Sequence, residues 1–229
     1  MKYESLDFYR DNTQRYSELS HNFANSVYTH CSHPALRDDM DLLRRISELA
    51  PGKRGLDAGC GPGARNVHLL NTWGLDVYGI DAVEENIDLS KELHMEIANK
   101  LQVLDIGMAL PFDDAAFDFV MCNGVIQHLS NETTENITAP EFIRVLVSGG
   151  ILQLMFKIGS GVVSVLDKAY GSDSVERKFL LYDEHRLVSV LENLGCSIVP
   201  SAGANELGGL IYFDDNKPMR YCVFWARKG

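Results

Sequence analysis

The sequence predicts an α/β fold, a doubly wound and mostly parallel sheet covered by helices on both faces. Three observations carry that expectation. Apolar strands alternate with helical stretches of about 10–15 residues, the pattern of βαβ units. A glycine-dense turn, Gly55-Leu56-Asp57-Ala58-Gly59-Cys60-Gly61-Pro62-Gly63-Ala64, joins one such strand to a helix. Polar residues stand at the ends of successive strands, at Asp81, Asp105 and Asn123.

The elements follow in order. Residues 1–37 are polar and aromatic with weak periodicity, and read as an N-terminal helical extension or lid. Asp38–Leu49 carries Leu42, Ile46 and Leu49 at helical spacing, and Pro51-Gly52 stops it. Lys53–Gly59 reads as a strand and Ala64–Trp73 as a helix closed by Gly74. Asp76–Asp81 is a strand. Val83–Ala98 is a helix with Leu89, Leu93 and Ile97 on one face, and Leu101–Ile106 a strand. Phe117–Asn123 is a mostly apolar strand, as expected of a strand buried on both faces. Thr138-Ala139-Pro140-Glu141 has the form of a capping box opening a helix to Val147, ended by Gly149-Gly150. Ile151–Lys157 is a strand. Asp183–Leu194 is a helix with Leu187, Leu191 and Leu194 inward. Cys196–Pro200 and Arg220–Arg227 close the pattern without a helix between them, so an antiparallel strand is expected at that edge.

Composition bounds the function. The 229 residues include 21 Lys and Arg against 32 Asp and Glu, a formal net charge of −11. That balance disfavours nucleic-acid binding through phosphate neutralisation and docking on an anionic membrane. Five scattered cysteines with no CxxC pair argue against a disulfide framework and a cysteine zinc site, and no metal is expected. With no apolar N-terminal run and no stretch of about 20 apolar residues, the expected location is the cytoplasm.

A strand running through glycines into a helix is where doubly wound sheets bind nucleotides. There the backbone approaches the ligand closely, and the helix start offers unpaired N–H groups. Gly59 to Ala64 also fits a dinucleotide fingerprint. Asp81, about 20 residues on, is placed to accept from ribose hydroxyls. Asp57 before the glycines and Pro62 within them suit a nicotinamide enzyme poorly.

Leu56 to Gly63, Tyr78-Gly79-Ile80-Asp81, Leu110 to Val120 and the helix leading to Ser148-Gly149-Gly150 together resemble the successive motifs of class I S-adenosylmethionine-dependent methyltransferases. The resemblance covers about residues 50–200. It implies a Rossmann-like seven-stranded sheet with an antiparallel C-terminal edge strand, the methyltransferase domain being 38–229. It also implies the cofactor S-adenosylmethionine. Asp57, Ala58, Gly59, Cys60, Gly61 and Gly63 would wrap its methionine part. Asp81 would hold the ribose, with Ala82 beside the adenine. Asp105 would meet the adenine amino group, with Ile106 packed next to it. Asn123, Gly124 and Gln127 would line the methionine side, and Tyr16 would close over the cofactor. Ser148 departs from the proline usual before the paired glycines, which touches a turn and not the site.

Methyl transfer from a sulfonium is an in-line displacement whose main demand is positioning. His128, just beyond the fourth strand, is the candidate base, its unperturbed pKa suiting proton transfer. His185 and Lys157 are second choices. The acceptor is expected to meet residues 1–37, with Tyr3, Phe8, Tyr9, Tyr16, Phe23 and Tyr28, and the 159–179 insertion. A small-molecule acceptor and a monomer or homodimer are the expectation. An RNA or protein acceptor, or a non-catalytic cofactor-binding protein, are the alternatives.

Overall fold

The computed structural model describes residues 5–23, 28–167, 175–214 and 219–229. Two helices, α1 (Ser5–Asp11) and α2 (Thr13–Phe23), precede α3 (Asp39–Leu49). Then come β1 (Arg54–Ala58), α4 (Arg65–Thr72), β2 (Asp76–Asp81), α5 (Glu84–Leu93), a 3₁₀ turn (Met95–Lys100), β3 (Leu101–Val103) and β4 (Phe117–Asn123). Helix α6 (Asn131–Thr133) runs through a π turn (Thr134–Thr138) into α7 (Ala139–Val145). The remainder is β5 (Leu146–Lys157), β6 (Val162–Asp167), β7 (Val175–Leu180), α8 (Glu184–Asn193), β8 (Cys196–Ile198), β9 (Ile211–Asp214) and β10 (Arg220–Lys228).

The main sheet has the order β3-β2-β1-β4-β5-β10-β8, with β9 added alongside β10. β1, β2, β3, β4 and β5 are mutually parallel, and β10 runs antiparallel to β5, β8 and β9. The α/β expectation is met. The antiparallel strand lies one place inside the edge, because β8 pairs with its outer side. Strand β9 is an addition that the sequence reading did not contain.

Period-two alternation sorts the strand residues onto two buried faces. Leu56, Val120, Cys122, Leu152, Leu154, Phe156 and Phe224 face α7 and α8, where Phe142, Ile143, Leu187 and Leu191 meet them. Val77, Phe119, Met121, Val223 and Trp225 face α3, α4 and α5, against Leu42, Leu43, Ile46, Val67, Leu70 and Ile87. Each such side chain, wholly buried, contributes about 1.5–3 kcal/mol.

Several boundaries differ from expectation. The helix expected over Val83–Ala98 breaks at Leu93, and its buried face carries Asn86, Ile87 and Ser90, while Leu93 is 46% exposed. The strand expected to Ile106 stops at Val103. Thr138 is not an N-cap. The helix starts at Asn131, capped by Ser130 accepting from Thr133 N, and Thr138 Oγ1 instead donates to the Ile106 carbonyl. Gly149-Gly150 lies inside β5, in a bulge where Phe117 pairs with Leu146 but Phe119 with Ile151. The 159–179 insertion contains an antiparallel hairpin of β6 and β7, and it continues to Leu180. Tyr3 and Tyr170 lie outside the described residues.

Candidate active site

In strand order, β1 sits between β2 and β4, so the chain reverses direction across the sheet there. Ligands of open α/β sheets bind at the carboxyl ends of strands beside such a point. A cleft open to solvent lies there, lined by residues following four strands and by the N-terminal helices. Gly59 and Gly61 follow β1, Asp81, Ala82 and Val83 end or follow β2, Leu104 and Ile106 follow β3, and Asn123, Gly124, Val125 and His128 end or follow β4. Asn86 of α5 and Tyr9 and Tyr16 of α1 and α2 complete the wall.

The glycine turn is tied to β2, since Gly59 N and Cys60 N both donate to the Ile80 carbonyl, at 2.8 and 2.9 Å. Gly59 has φ of +93°, and a Cβ there would fall 2.4 Å from Val125 Cγ2. Only glycine meets both constraints. Helix α4 then begins with no side-chain cap, leaving its first N–H groups for other partners.

Asp81 holds this turn against α5. Its Oδ2 accepts from Gly61 N at 3.0 Å, and its Oδ1 from Val83 N at 2.9 Å and Asn86 Nδ2 at 3.1 Å. Burial raises its pKa, and these three donors act against that rise. Ser90 Oγ accepts from Gly63 N at 2.8 Å, so a second polar residue of α5 fixes the same turn. Thr13 Oγ1 of α2 lies 3.0 Å from Asn86 Oδ1 as donor, docking the N-terminal helices on α5.

Asp57 is buried beneath the turn, and its Oδ2 has no partner. Burial pushes its pKa up to about 7, with the charge of Asp81 adding and Arg65 and a hydrogen bond from Asn66 opposing. Asn123 Oδ1 accepts from Gln153 Nε2 at 3.0 Å, and Gln153 Oε1 accepts from Trp225 Nε1 at 2.8 Å. Gln153 and Trp225 are fully buried, so the strand-end amide is fixed from within the sheet.

His128 lies at the far end of the cleft. Its Nε2 is 3.2 Å from the Tyr9 hydroxyl, and its ring packs against Tyr9 and Phe179. Its Nδ1 is buried without a partner. Burial, with the charges of Arg177 and Lys157 adding, pushes its pKa down to about 3, so the imidazole is neutral and weakly basic. Arg177 of β7 hydrogen-bonds the Tyr9 hydroxyl, pairs with buried Asp167 at 3.0 Å and stacks against Phe8, Tyr9 and Phe179. Lys157 is buried and donates to the Tyr221 hydroxyl at 2.6 Å, its ammonium facing Phe179 and Tyr221.

Of the residues expected at the site, Gly59, Gly61, Asp81, Ala82, Ile106, Asn123, Gly124, His128 and Tyr16 share the cleft wall. Asp57, Ala58, Cys60 and Gly63 belong to the strand and turn behind it. Asp105 is exposed off the wall, its Oδ1 accepting from Gly107 N at 2.7 Å. Gln127 is buried and turns toward β5, its Oε1 accepting from Lys157 N. His185 is exposed on α8, away from the cleft. Val83, Asn86, Leu104 and Val125 were not anticipated, although each lies within five residues of an expected one. Tyr9 was legible only as one of several N-terminal aromatics.

The described helices include none long and apolar enough to cross a membrane. Residues 56–154 match a family profile described as a methyltransferase domain. Phosphoethanolamine N-methyltransferase 2 of Caenorhabditis elegans is 24% identical over 160 residues, 69% of this chain and 36% of that protein. The 2-methyl-6-phytyl-1,4-hydroquinone methyltransferase of Synechocystis sp. is 32% identical over 107 residues, 47% of this chain and 33% of that protein. The chain thus spans about a third of the length of these relatives. Among solved structures, the [4+2]-cyclase SpnF superposes with a TM-score of 0.67 at 16% identity, covering 100% of this chain and 96% of that one.

Proposed function

We propose that the chain is a class I S-adenosylmethionine-dependent methyltransferase and that it methylates a small-molecule acceptor. The observation that carries the reading is the cleft at the carboxyl ends of β1, β2 and β4, walled by the glycine turn and Asp81, with the unpartnered Asp57 Oδ2 buried behind that wall. These residues fit the cofactor. A buried carboxylate oxygen without a donor suits an ammonium group, and turn glycines that admit no side chain leave the backbone open to a ligand. In this reading Asp81 holds the ribose, Ala82, Leu104 and Ile106 wall the adenine, and Asn123 and Gly124 line the methionine side. Bound there, S-adenosylmethionine supplies a methyl group on a sulfonium whose leaving group is a neutral thioether.

The chain's own work is then alignment and exclusion of water. Tyr9 and Tyr16 roof the cleft, and holding an acceptor in line supplies up to about 7–11 kcal/mol of the barrier reduction. His128 lines the cleft beside the space for the acceptor. Neutral and weakly basic, it orients the nucleophile and takes a proton only transiently. The space around His128, Tyr9 and Phe179 is aromatic, which favours a small acceptor. The relatives named for phosphoethanolamine and for a hydroquinone, and the net charge of −11, support the same class.

Calorimetry with S-adenosylhomocysteine tests the reading, followed by release of that product from S-adenosylmethionine across a panel of small phenols, amines and carboxylates. Binding in the micromolar range with turnover on one acceptor class is expected. No affinity for either cofactor form would overturn it.

A further inference from the structure

A second cluster of ligating side chains lies on the outer side of α4 and α5. His68 projects from the middle of α4, His94 follows the last residue of α5, and Glu96 stands in the 3₁₀ turn after it. The two imidazoles stack with centroids 4.0 Å apart and planes 17° from parallel. Both present Nδ1 to one carboxylate oxygen, Glu96 Oε1, at 2.7 Å from His68 and 3.6 Å from His94. One ligand atom from each of the three lies within 4.8 Å of the others.

We propose that His68, His94 and Glu96 form a binding site for a borderline divalent transition metal, zinc foremost. Two imidazoles and a carboxylate make a three-residue set that zinc takes, with water in the fourth position. Imidazole donors select zinc, copper and nickel over magnesium and calcium. With bonds of about 2.0–2.1 Å, the ligand atoms of a tetrahedral ion stand about 3.3 Å apart. The two nitrogen-to-oxygen separations, 2.7 and 3.6 Å, bracket that edge. Rotation of part-exposed side chains closes the set without moving a helix.

The site's place gives it a consequence. Ser90, one turn before His94, holds Gly63 N, and Leu93 lies against the position a Gly63 Cβ would occupy. An ion joining His94 to His68 therefore clamps α5 to α4 directly behind the glycine turn. It does not touch the cleft, so it stiffens the turn without taking part in the chemistry.

The test is calorimetric titration of chelator-treated protein with zinc chloride, with thermal unfolding followed in parallel. A single equivalent and a raised Tm are expected. His68→Ala and His94→Ala should each weaken binding by about tenfold or more, the least that loss of even an outer-sphere partner costs. Glu96→Gln should weaken it less, because it keeps an oxygen donor. His30→Ala, at an exposed histidine elsewhere, should bind as the wild type does. Alanine suits the helical position of His68, His94 follows the end of α5, and circular dichroism verifies that both variants fold. Zinc affinity and Tm response unchanged in His68→Ala and His94→Ala, or no zinc uptake by the wild type, would overturn the proposal.

Discussion

The Tyr9 hydroxyl stands 3.2 Å from Nε2 of His128, so the first helix meets the loop after β4 across the mouth of the cleft. Tyr9→Phe removes this contact and the one to Arg177 while keeping the ring. One hydrogen bond is worth about 1 kcal/mol net, so S-adenosylhomocysteine should bind about fivefold more weakly, chiefly through faster dissociation. Stopped-flow release of the ligand measures this. An unchanged off-rate would mean that the hydroxyl does not help close the roof.

His128 is held neutral far below neutrality. Its lowered pKa makes its contribution to stability present above the ordinary value of 6.5 and lost as pH falls toward about 3. The pH profile of kcat should therefore show no limb near 6.5 belonging to this residue. A limb there that vanishes in His128→Ala would reverse the assignment of a weak base.

Asp81 accepts three donors that shape the turn. Asp81→Asn replaces a carboxylate by an amide that accepts at one atom only. Charge-assisted bonds contribute about 1.5–3 kcal/mol each, so cofactor affinity should fall roughly 100-fold, read by calorimetry. A loss under about threefold would move the ribose contact elsewhere.

Asp57 has its pKa raised from 3.8 to about 7. The protonated form is favoured in the fold, so its contribution is full below 3.8 and is lost as pH rises through about 7. The ligand-free protein should lose Tm over that window, and Asp57→Asn should flatten the loss. An ammonium beside Oδ2 favours the carboxylate, so cofactor binding releases a proton. Affinity should then rise about tenfold per pH unit below 7 and level off above it. Calorimetry in buffers of different ionisation enthalpy measures the proton count, and a count of zero would detach the ammonium from Asp57.

Much of the fold was legible. β4 was expected over Phe117–Asn123 and spans those residues, because a strand buried on both faces is apolar along its centre, here Phe119 to Cys122. The glycine turn was legible because its chemistry is local. Helix α5 was misread because its site-facing stripe is polar. Asn86 and Ser90 are buried to hold Asp81 and the turn, and a search for apolar periodicity passes over them. The start at Asn131 was hidden by the polar stretch Asn131 to Asn136, whose one marker is the cap Ser130. The hairpin of β6 (VVSVLD) and β7 (VERKFL) shows no period-two alternation, Val162 and Leu166 are exposed, and only pairing between the two strands defines it.

Gln153 also sets an order of events. The amide of Asn123 takes its orientation from Gln153, which takes its own from Trp225, a partner 72 residues further along the chain. During synthesis β1, the glycine turn, β2 and β4 can assemble as neighbours, whereas the amide at the cleft is locked only after β10 has threaded between β5 and β8. Contacts of such separation form late. The orientation of the cleft's amide thus depends on the last strand of the sheet being in place, although that strand contributes no residue to the cleft wall.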